Sequence, residues 1–212
     1  MSIKQIESRL KIPRSTLSGW LRNIKLSRKQ KERLLHNWKK ALSSARIGAV
    51  LWHNKQKALR LSLAKRQATD VFRKINPRDG HTLDLALAML YLGEGFKKTT
   101  ETGMGNSDPT ILNFFIAALK MNYNVPISKI RCELHLRADQ NPKLATMFWS
   151  DQLGIPINNF TSPSIDKRTI GKPTYSTYHG VCVIRCGDVA IQRKLTYLSK
   201  LYCDNLIKTM RA

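Results

Sequence analysis

One carboxylate stands where an apolar segment of the chain ends. The segment ALAMLYLGEGFKK, residues 86–98, places Glu94 between Gly93 and Gly95, just ahead of two lysines. An acid at the C-terminal end of a helix lies where the helix dipole favours a bound cation. These residues indicate a cation site at Glu94 and Gly93; the alternative is a helix-end acid without chemistry.

The segment that leads to Glu94 is apolar on two sides. Leu83, Leu87 and Leu90 form one stripe, whereas Ala86, Met89 and Gly93 belong to a second one with small members. A helix that is apolar on more than one side is buried on more than one side. We therefore expect the second stripe to pack in a core or against the same helix of a second chain. Gly93 would allow that close approach, and Gly95 would let the backbone turn after the acid.

The charge of the chain indicates a polyanionic partner. Its 37 Lys and Arg against 14 Asp and Glu give a formal net charge of +23. Residues 1–78 hold 21 of the basic and 3 of the acidic side chains, a net +18. So basic a chain repels itself unless an anionic partner neutralises it. No apolar run approaches the roughly 20 residues of a membrane-spanning helix, so we expect an intracellular, cytoplasmic protein without a membrane partner.

The first 26 residues have the pattern of a helix-turn-helix. Apolar residues recur at helical spacing before and after the break at Ile12-Pro13, with Leu17 and Trp20 expected to hold the two helices together. The second helix of such a motif presents its first residues to base edges in the major groove. The residues expected to bind DNA here are Arg14, Ser15, Thr16, Ser18 and Arg22. A plain helical hairpin with a basic surface is the alternative.

Three segments follow from composition and turn residues. Residues 1–26 form the helix-turn-helix module, and residues 27–78 form a basic connector of one or two long helices, because they are rich in Ala and Leu and nearly free of Gly and Pro. The turn cluster NPRDG, residues 76–80, marks the boundary to a third segment, residues 79–212. Four cysteines without a C-x-x-C pair argue against structural zinc.

Residues 79–212 alternate between helical and extended patterns. A strand-turn-strand signal lies near residues 95–107, and Asp108-Pro109 is typical of a helix start. The segment ISKIRCELHLRA alternates with a period of two, and GVCVIRC is typical of a buried strand. Helices are expected before, between and after these strands, and residues 160–180 are expected to be an extended basic loop. The fold class is therefore α+β with a mostly antiparallel sheet.

The stretch LAMLYLGEG, residues 87–95, resembles the motif of LAGLIDADG homing endonucleases, a helix that ends in an acid followed by glycine. Leu87, Ala88 and Leu90 match its opening letters, and Glu94-Gly95 takes the place of its final pair. The resemblance implies an αββαββα domain whose saddle-shaped sheet binds DNA, and a homodimer through the motif helix at Ala86, Met89 and Gly93. Two departures are Met89, where a small residue is frequent, and Leu92, which replaces an earlier acid.

The same resemblance suggests which cations contact DNA. Those expected in the groove or on phosphates are Lys97, Lys98, Arg131, His135, Arg137 and Arg168. Arg185 or Lys167 would stabilise the transition state as a catalytic cation. The resemblance implies a sequence-specific double-strand DNA endonuclease that depends on Mg²⁺ or Mn²⁺ held by Glu94 and Gly93, because divalent ions held by carboxylates stabilise the charge that develops when a phosphodiester is hydrolysed. The alternative is a helix-turn-helix transcriptional regulator that binds DNA without cutting it; an RNA-binding factor is a third class, although no RNA-recognition motif is apparent.

Overall fold

The computed structural model describes residues 1–211. The chain divides into two compact units, residues 1–74 and the remainder from Ile75 onward. The first unit is entirely helical, and the second combines helices with a small mixed sheet, so the α+β class is confirmed. In the part of the chain that is described, no helix is both long and apolar enough to cross a membrane.

The first unit begins with two short helices and a tight turn. Helix α1 spans Ile3–Leu10 and helix α2 spans Arg14–Trp20. A Glu7 carboxylate oxygen of α1 accepts a hydrogen bond from the Arg14 backbone N–H at 3.1 Å, so an acid from one helix satisfies an otherwise unpaired donor at the start of the next. Leu17 is 3% exposed, as expected, but the inward position expected for Trp20 is wrong, because its side chain is 67% exposed.

Helix α3 spans Arg28–Phe72, a single helix of 45 residues where one or two were expected. Ser27 and Gln30 form a capping box at its start: the Ser27 Oγ accepts from the Gln30 N–H at 3.3 Å, and the Gln30 Oε1 accepts from the Ser27 N–H at 2.9 Å. At a rise of about 1.5 Å per residue it is about 67 Å long. None of the side chains of residues 28–72 is buried.

The second unit contains helices α4 (Gly80–Glu94), α5 (Pro109–Tyr123), α6 (Pro142–Leu153) and α7 (Val189–Arg211). Local caps define where they start. Asp79, Asp108 and Asn141 each accept backbone N–H bonds from the first turn of the helix that follows. Pro109 and Pro142 occupy first-turn positions, where a missing N–H costs nothing. The predicted start of α5 at Asp108-Pro109 is confirmed.

The sheet has four strands, β1 (Gly103–Asn106), β2 (Arg131–Arg137), β3 (Ser164–Asp166) and β4 (Val181–Arg185), in the order β1-β4-β2-β3. The β1–β4 and β2–β4 pairs are antiparallel, whereas β2–β3 is parallel. The sheet is therefore mixed. The strand-turn-strand expected near residues 95–107 is reduced to β1 and one isolated bridge between Gly95 and Met104. The expected basic loop contains β3.

One face of the sheet carries the core of the second unit. Alternate residues of β2, Cys132, Leu134 and Leu136, point into that core, as their two-residue alternation predicts. Helices α4 to α7 cover this face, with Tyr91, Phe115, Trp149 and Leu195 fully buried. The opposite face of β2 carries Arg131, Glu133, His135 and Arg137, which are exposed or half-buried.

Candidate metal centre and nucleic-acid interface

Glu94 is the last residue of α4, and its side chain is exposed. The Asn106 side-chain amide donates a hydrogen bond to Glu94 Oε2 at 3.2 Å. The same amide is fixed in orientation, because its Oδ1 accepts from the Asp108 backbone N–H at 2.9 Å. The end of β1 therefore steadies the carboxylate, and the unpaired carbonyls at the C-terminal end of α4 add partial negative charge beside it.

The two glycines that flank Glu94 differ in whether the surrounding structure leaves room for a side chain. A Cβ on Gly95 would lie 2.4–2.5 Å from ring atoms of Tyr91, whereas a Cβ on Gly93 would meet nothing within 4 Å. Gly95 has φ −78° and ψ 155°, a conformation that any residue adopts, so it is not needed to turn the backbone. It is glycine because the Tyr91 ring lies against it.

Tyr91 fixes the path of the chain after Glu94. Its hydroxyl donates to the Phe96 carbonyl at 2.6 Å and accepts from the Gly103 N–H at 3.3 Å. The Gln192 side-chain amide donates to the same Phe96 carbonyl at 2.7 Å, which ties α7 to the segment. Burial raises the pKa of the Tyr91 hydroxyl above its ordinary value, so it stays a donor at neutral pH. The exit from α4 is therefore rigid.

The stripe expected to form a dimer interface is open to solvent in the single chain. Ala86, Met89 and Gly93 are exposed, and Leu92 beside them is 42% exposed. The opposite side of α4, with Leu87 and Tyr91, is fully buried in the core. Helix α4 thus has one apolar side that the chain covers and another that it leaves uncovered. Glu94 lies at the end of the uncovered side.

Arg185 is bound by two carboxylates on the polar face of the sheet. Its Nη1 lies 2.7 Å from Glu133 Oε2 and its Nε lies 3.1 Å from Glu101 Oε1. The His135 Nε2 lies 3.2 Å from the other oxygen of Glu133. The hydrogen bond from Arg185 holds the pKa of the Glu133 carboxyl below its ordinary value. As an isolated chain, the protein therefore offers Arg185 as a neutralised cation, not as a free catalytic one.

The other arginines expected to contact DNA differ in how many hydrogen bonds they make within the chain and in how exposed they are. Arg137 is half-buried and donates from Nε to Thr174 Oγ1 at 2.7 Å and from Nη2 to the Lys172 carbonyl at 3.0 Å. Arg168 forms a bidentate ion pair with Asp166: its Nε donates to Oδ1 at 2.8 Å and its Nη2 donates to Oδ2 at 3.0 Å. Arg131 donates to the Ser128 carbonyl at 2.7 Å but remains exposed.

Three lysines expected in the interface, Lys97, Lys98 and Lys167, are exposed. Lys167 lines an open cavity of about 1030 Å³ together with His135, Arg137, Arg168 and two tyrosines, Tyr175 and Tyr178. The cavity lies where β2 and β3 meet the loop of residues 170–178. The structure thus brings together four of the predicted cationic residues at this edge of the sheet.

A single chain offers little to a metal ion. Within residues 1–211, no three His, Cys, Asp or Glu side chains come close enough together to hold one. Mg²⁺ accepts one or two protein carboxylates and completes its shell with water and phosphate oxygens. Within the single chain, Glu94 offers one exposed carboxylate of this kind.

The helix-turn-helix residues lie in the other unit. Arg14, Ser15, Thr16 and Ser18 are exposed in the first turns of α2, and Arg22 is exposed in the turn that follows it. The sequence interpretation missed three residues that shape the second unit's site: Asn106, Glu101 and Glu133. Only Glu133 carried a signal, its position on the polar side of the β2 alternation.

Comparisons with family models, with curated proteins and with solved structures give no match to this chain.

Proposed function

We propose that the protein is a sequence-specific double-strand DNA endonuclease that acts as a homodimer with Mg²⁺ or Mn²⁺, in the manner of the single-motif LAGLIDADG enzymes it resembles. The observation that carries the proposal is the position of Glu94. An exposed carboxylate, steadied by Asn106, ends a helix whose apolar side is left uncovered. Pairing of two such helices brings two carboxylates together, which is the donor set that one chain lacks.

The charge distribution supports nucleic acid as the substrate. The first unit supplies most of the positive charge, and the polar face of the sheet adds Arg131 and His135 to Lys97 and Lys98. Phosphate contacts of this kind provide affinity and orientation, whereas selection of a sequence requires contacts to base edges. We assign the second role to Ser15, Thr16 and Ser18 of α2, with Arg14 and Arg22 beside them.

The residues of this chain have separate roles in the proposed reaction. Glu94 and the Gly93 carbonyl hold the metal, and Asn106 orients the carboxylate. When bound, the metal stabilises negative charge on the attacking and leaving oxygens of the phosphodiester. Lys167 follows β3, at the opposite edge of the sheet from β1 and Glu94, so we assign it to phosphate contacts along that edge and not to the scissile phosphate of the same chain. Arg185 becomes a cation at the scissile phosphate only if DNA displaces Glu101 or Glu133, so we assign it to positioning the sheet surface.

Cleavage of pooled duplex DNA in the presence of Mg²⁺ tests the proposal. We expect cuts with the native chain and their loss, by at least about 100-fold in rate, in Glu94→Gln, which removes the charge and keeps the shape. The matched control is Glu32→Gln, because Glu32 is an exposed acid of α3 whose ion pair is with Arg28 at the helix surface. Equal cutting by the native chain and Glu94→Gln would refute a metal site at Glu94.

The alternative, a DNA-binding transcriptional regulator, has one observation in its favour: Arg185 is occupied by Glu101 and Glu133. The same experiment separates the two functions. Tight, sequence-selective binding without cuts by the native chain or by Glu94→Gln, in Mg²⁺ and in Mn²⁺, would identify the regulator.

A further inference from the structure

Helix α3 carries apolar residues at alternating intervals of three and four. The nine positions of this α3 stripe are Leu35, Trp38, Leu42, Ala45, Ala49, Trp52, Gln56, Leu59 and Leu63. Eight of the nine are apolar, and the spacing repeats without interruption through four heptads. A sustained 3.5-residue repeat is the pattern that makes two helices wind around each other.

Seven of the nine positions of the α3 stripe are exposed, and Leu42 and Gln56 are half-buried. Trp38 is 59% exposed, Trp52 57%, Leu59 53% and Leu63 46%. Most helices in proteins owe their stability to packing of an apolar side and not to intrinsic propensity. A 45-residue helix that buries none of its own side chains therefore lacks its main source of stability, and a partner must supply it.

We infer that a second copy of this chain covers the α3 stripe, and that the two helices form a parallel, in-register coiled coil over residues 35–63. This interface is separate from the α4 contact and does not depend on nuclease activity. It would bring two helix-turn-helix modules to the same end of one rod, which suits a DNA site made of two half-sites.

The area of the stripe is sufficient for a stable pair. An aromatic side chain buries about 150–250 Å² in full, so the exposed parts of Trp38 and Trp52 offer roughly 200 Å² per chain. With the seven other positions, a pair would bury on the order of 1,200 Å², the lower end of stable protein interfaces.

The charges beside the stripe select the parallel orientation. One flank is basic throughout, with Lys39, Arg46, His53 and Arg60. In an antiparallel pair this flank would face itself, which places like charges opposite one another. In a parallel pair it faces the other flank, whose members are Leu34, Ala41, Gly48 and Lys55. Only Lys55 then meets a like charge, and the stems of the long cations cover small or apolar residues.

Gln56 is the one polar member of the stripe, and it fixes the register. A single polar residue at a core position of a coiled coil specifies alignment at a cost in stability, because it must meet a hydrogen-bonding partner. In a parallel, in-register pair each Gln56 meets the Gln56 of the second copy, and an amide both donates and accepts. A shift by one heptad would place it against Leu63 or Ala49.

Disulfide formation between identical positions tests this arrangement in the full chain. The background carries Cys203→Ser, since the other three cysteines are buried. We expect Leu42→Cys, at a core position, to oxidise to a covalent dimer in most of the protein. Asn54→Cys, on the outer side of α3, is the control and should remain monomeric under denaturing conditions. Equal cross-linking of the two variants, or none at position 42, would overturn the inference.

A substitution that strengthens association and a salt series complete the test. Gln56→Leu removes the polar core position, so we expect it to lower the dimer dissociation constant at least about tenfold by sedimentation equilibrium. Raising NaCl should also tighten the dimer, because salt screens repulsion between basic chains. An unchanged Gln56→Leu dimer, or association that salt weakens, would overturn the coiled coil between two copies of the chain.

Discussion

Two glycines on either side of Glu94 illustrate how a sequence motif combines structural and functional demands. Gly95 is required by the fold, because Tyr91 packs where its Cβ would be. Gly93 is not required by the fold, since its Cβ would lie in open space. A glycine near the end of a helix that the single chain does not need is consistent with close approach of a second helix.

Alanine at these two positions should therefore have opposite effects. Gly95→Ala should destabilise the second unit by about 1–3 kcal/mol, because the Tyr91 ring or the backbone must move. Gly93→Ala should stabilise the single chain by up to about 1 kcal/mol, because glycine is a poor helix former. Urea unfolding at low protein concentration measures both. Equal destabilisation by the two substitutions would contradict the packing of Tyr91 against Gly95.

Asp84 joins three helices of the second unit. Its carboxylate accepts from Tyr123 Oη at 2.7 Å, from Asn122 Nδ2 at 2.9 Å and from Lys194 Nζ at 2.5 Å. Burial by itself raises the pKa of this carboxyl, but the hydrogen bonds and the Lys194 charge outweigh it, so the pKa lies below the ordinary 3.8. The native state thus favours the ionised form of Asp84.

This lowered pKa predicts a pH dependence of stability. A depressed native pKa contributes stability that is fully present above the unfolded pKa, near 3.8, and lost as pH falls through the native value. We expect Asp84→Asn to cost about 1–2 kcal/mol at pH 7. Its unfolding free energy should change less than that of the native chain between about pH 5 and pH 2. The exposed Asp204→Asn is the control; the same pH profile for the native chain and Asp84→Asn would exclude this role.

At the scale of elements, helices were predictable because their signals are local. The caps at Asp108 and the apolar periodicity before Glu94 lie within a few residues of the structure they define. Strands β1 and β3 were harder, because short strands depend on pairing with residues distant in sequence. Residues Ser164–Asp166 pair with His135–Arg137. No pattern in the polar segment around Ser164–Asp166 predicts that pairing.

The candidate site likewise contains residues that the local sequence predicts and residues that only the tertiary structure reveals. Glu94 was identifiable from its position between glycines at the end of an apolar run. Its partner Asn106, and the carboxylates that occupy Arg185, come from other elements, so only the tertiary structure reveals them. Trp20 was misplaced for a related reason: helical spacing groups it with Leu17, but only the tertiary structure shows that Leu17 is buried and Trp20 is exposed.

The pairing of α1 and α2 gives a prediction at this scale. Leu17 is the one buried residue among residues 1–74, so Leu17→Ala should cost the helix pair about 2 kcal/mol. Trp20→Ala, at a largely exposed position, should cost less than about 0.5 kcal/mol. Amide hydrogen exchange of residues 3–20 measures both effects. Protection that survives Leu17→Ala, or that is lost equally in Trp20→Ala, would show that another contact holds the pair.

For the whole molecule, the uneven distribution of charge predicts two kinds of contact with DNA. Residues 1–78 carry +18 of the net +23, and most of those cations are spread around α3, where they can meet phosphates but have no fixed geometry for reading bases. Counterion release then makes affinity fall steeply with salt for any duplex. The exposed hydroxyls at the start of α2 are few and uncharged, so in the proposed complex with DNA we expect them to add little affinity and most of the selectivity.

Substitutions in the two helices should separate these contributions. Thr16→Val removes one hydroxyl of α2 without changing its shape; we expect it to weaken binding to the selected duplex about 5- to 100-fold and to leave binding to random duplex unchanged. Lys57→Gln and Lys65→Gln, on the outer side of α3, should weaken binding to both duplexes alike, and each phosphate that is no longer neutralised should lower the salt slope by about one. Fluorescence anisotropy with both duplexes over a NaCl series measures affinity and slope together. If Thr16→Val weakened binding to both duplexes equally, α2 would contact phosphates and not base edges. The sequence selectivity would then have to come from the sheet of the second unit.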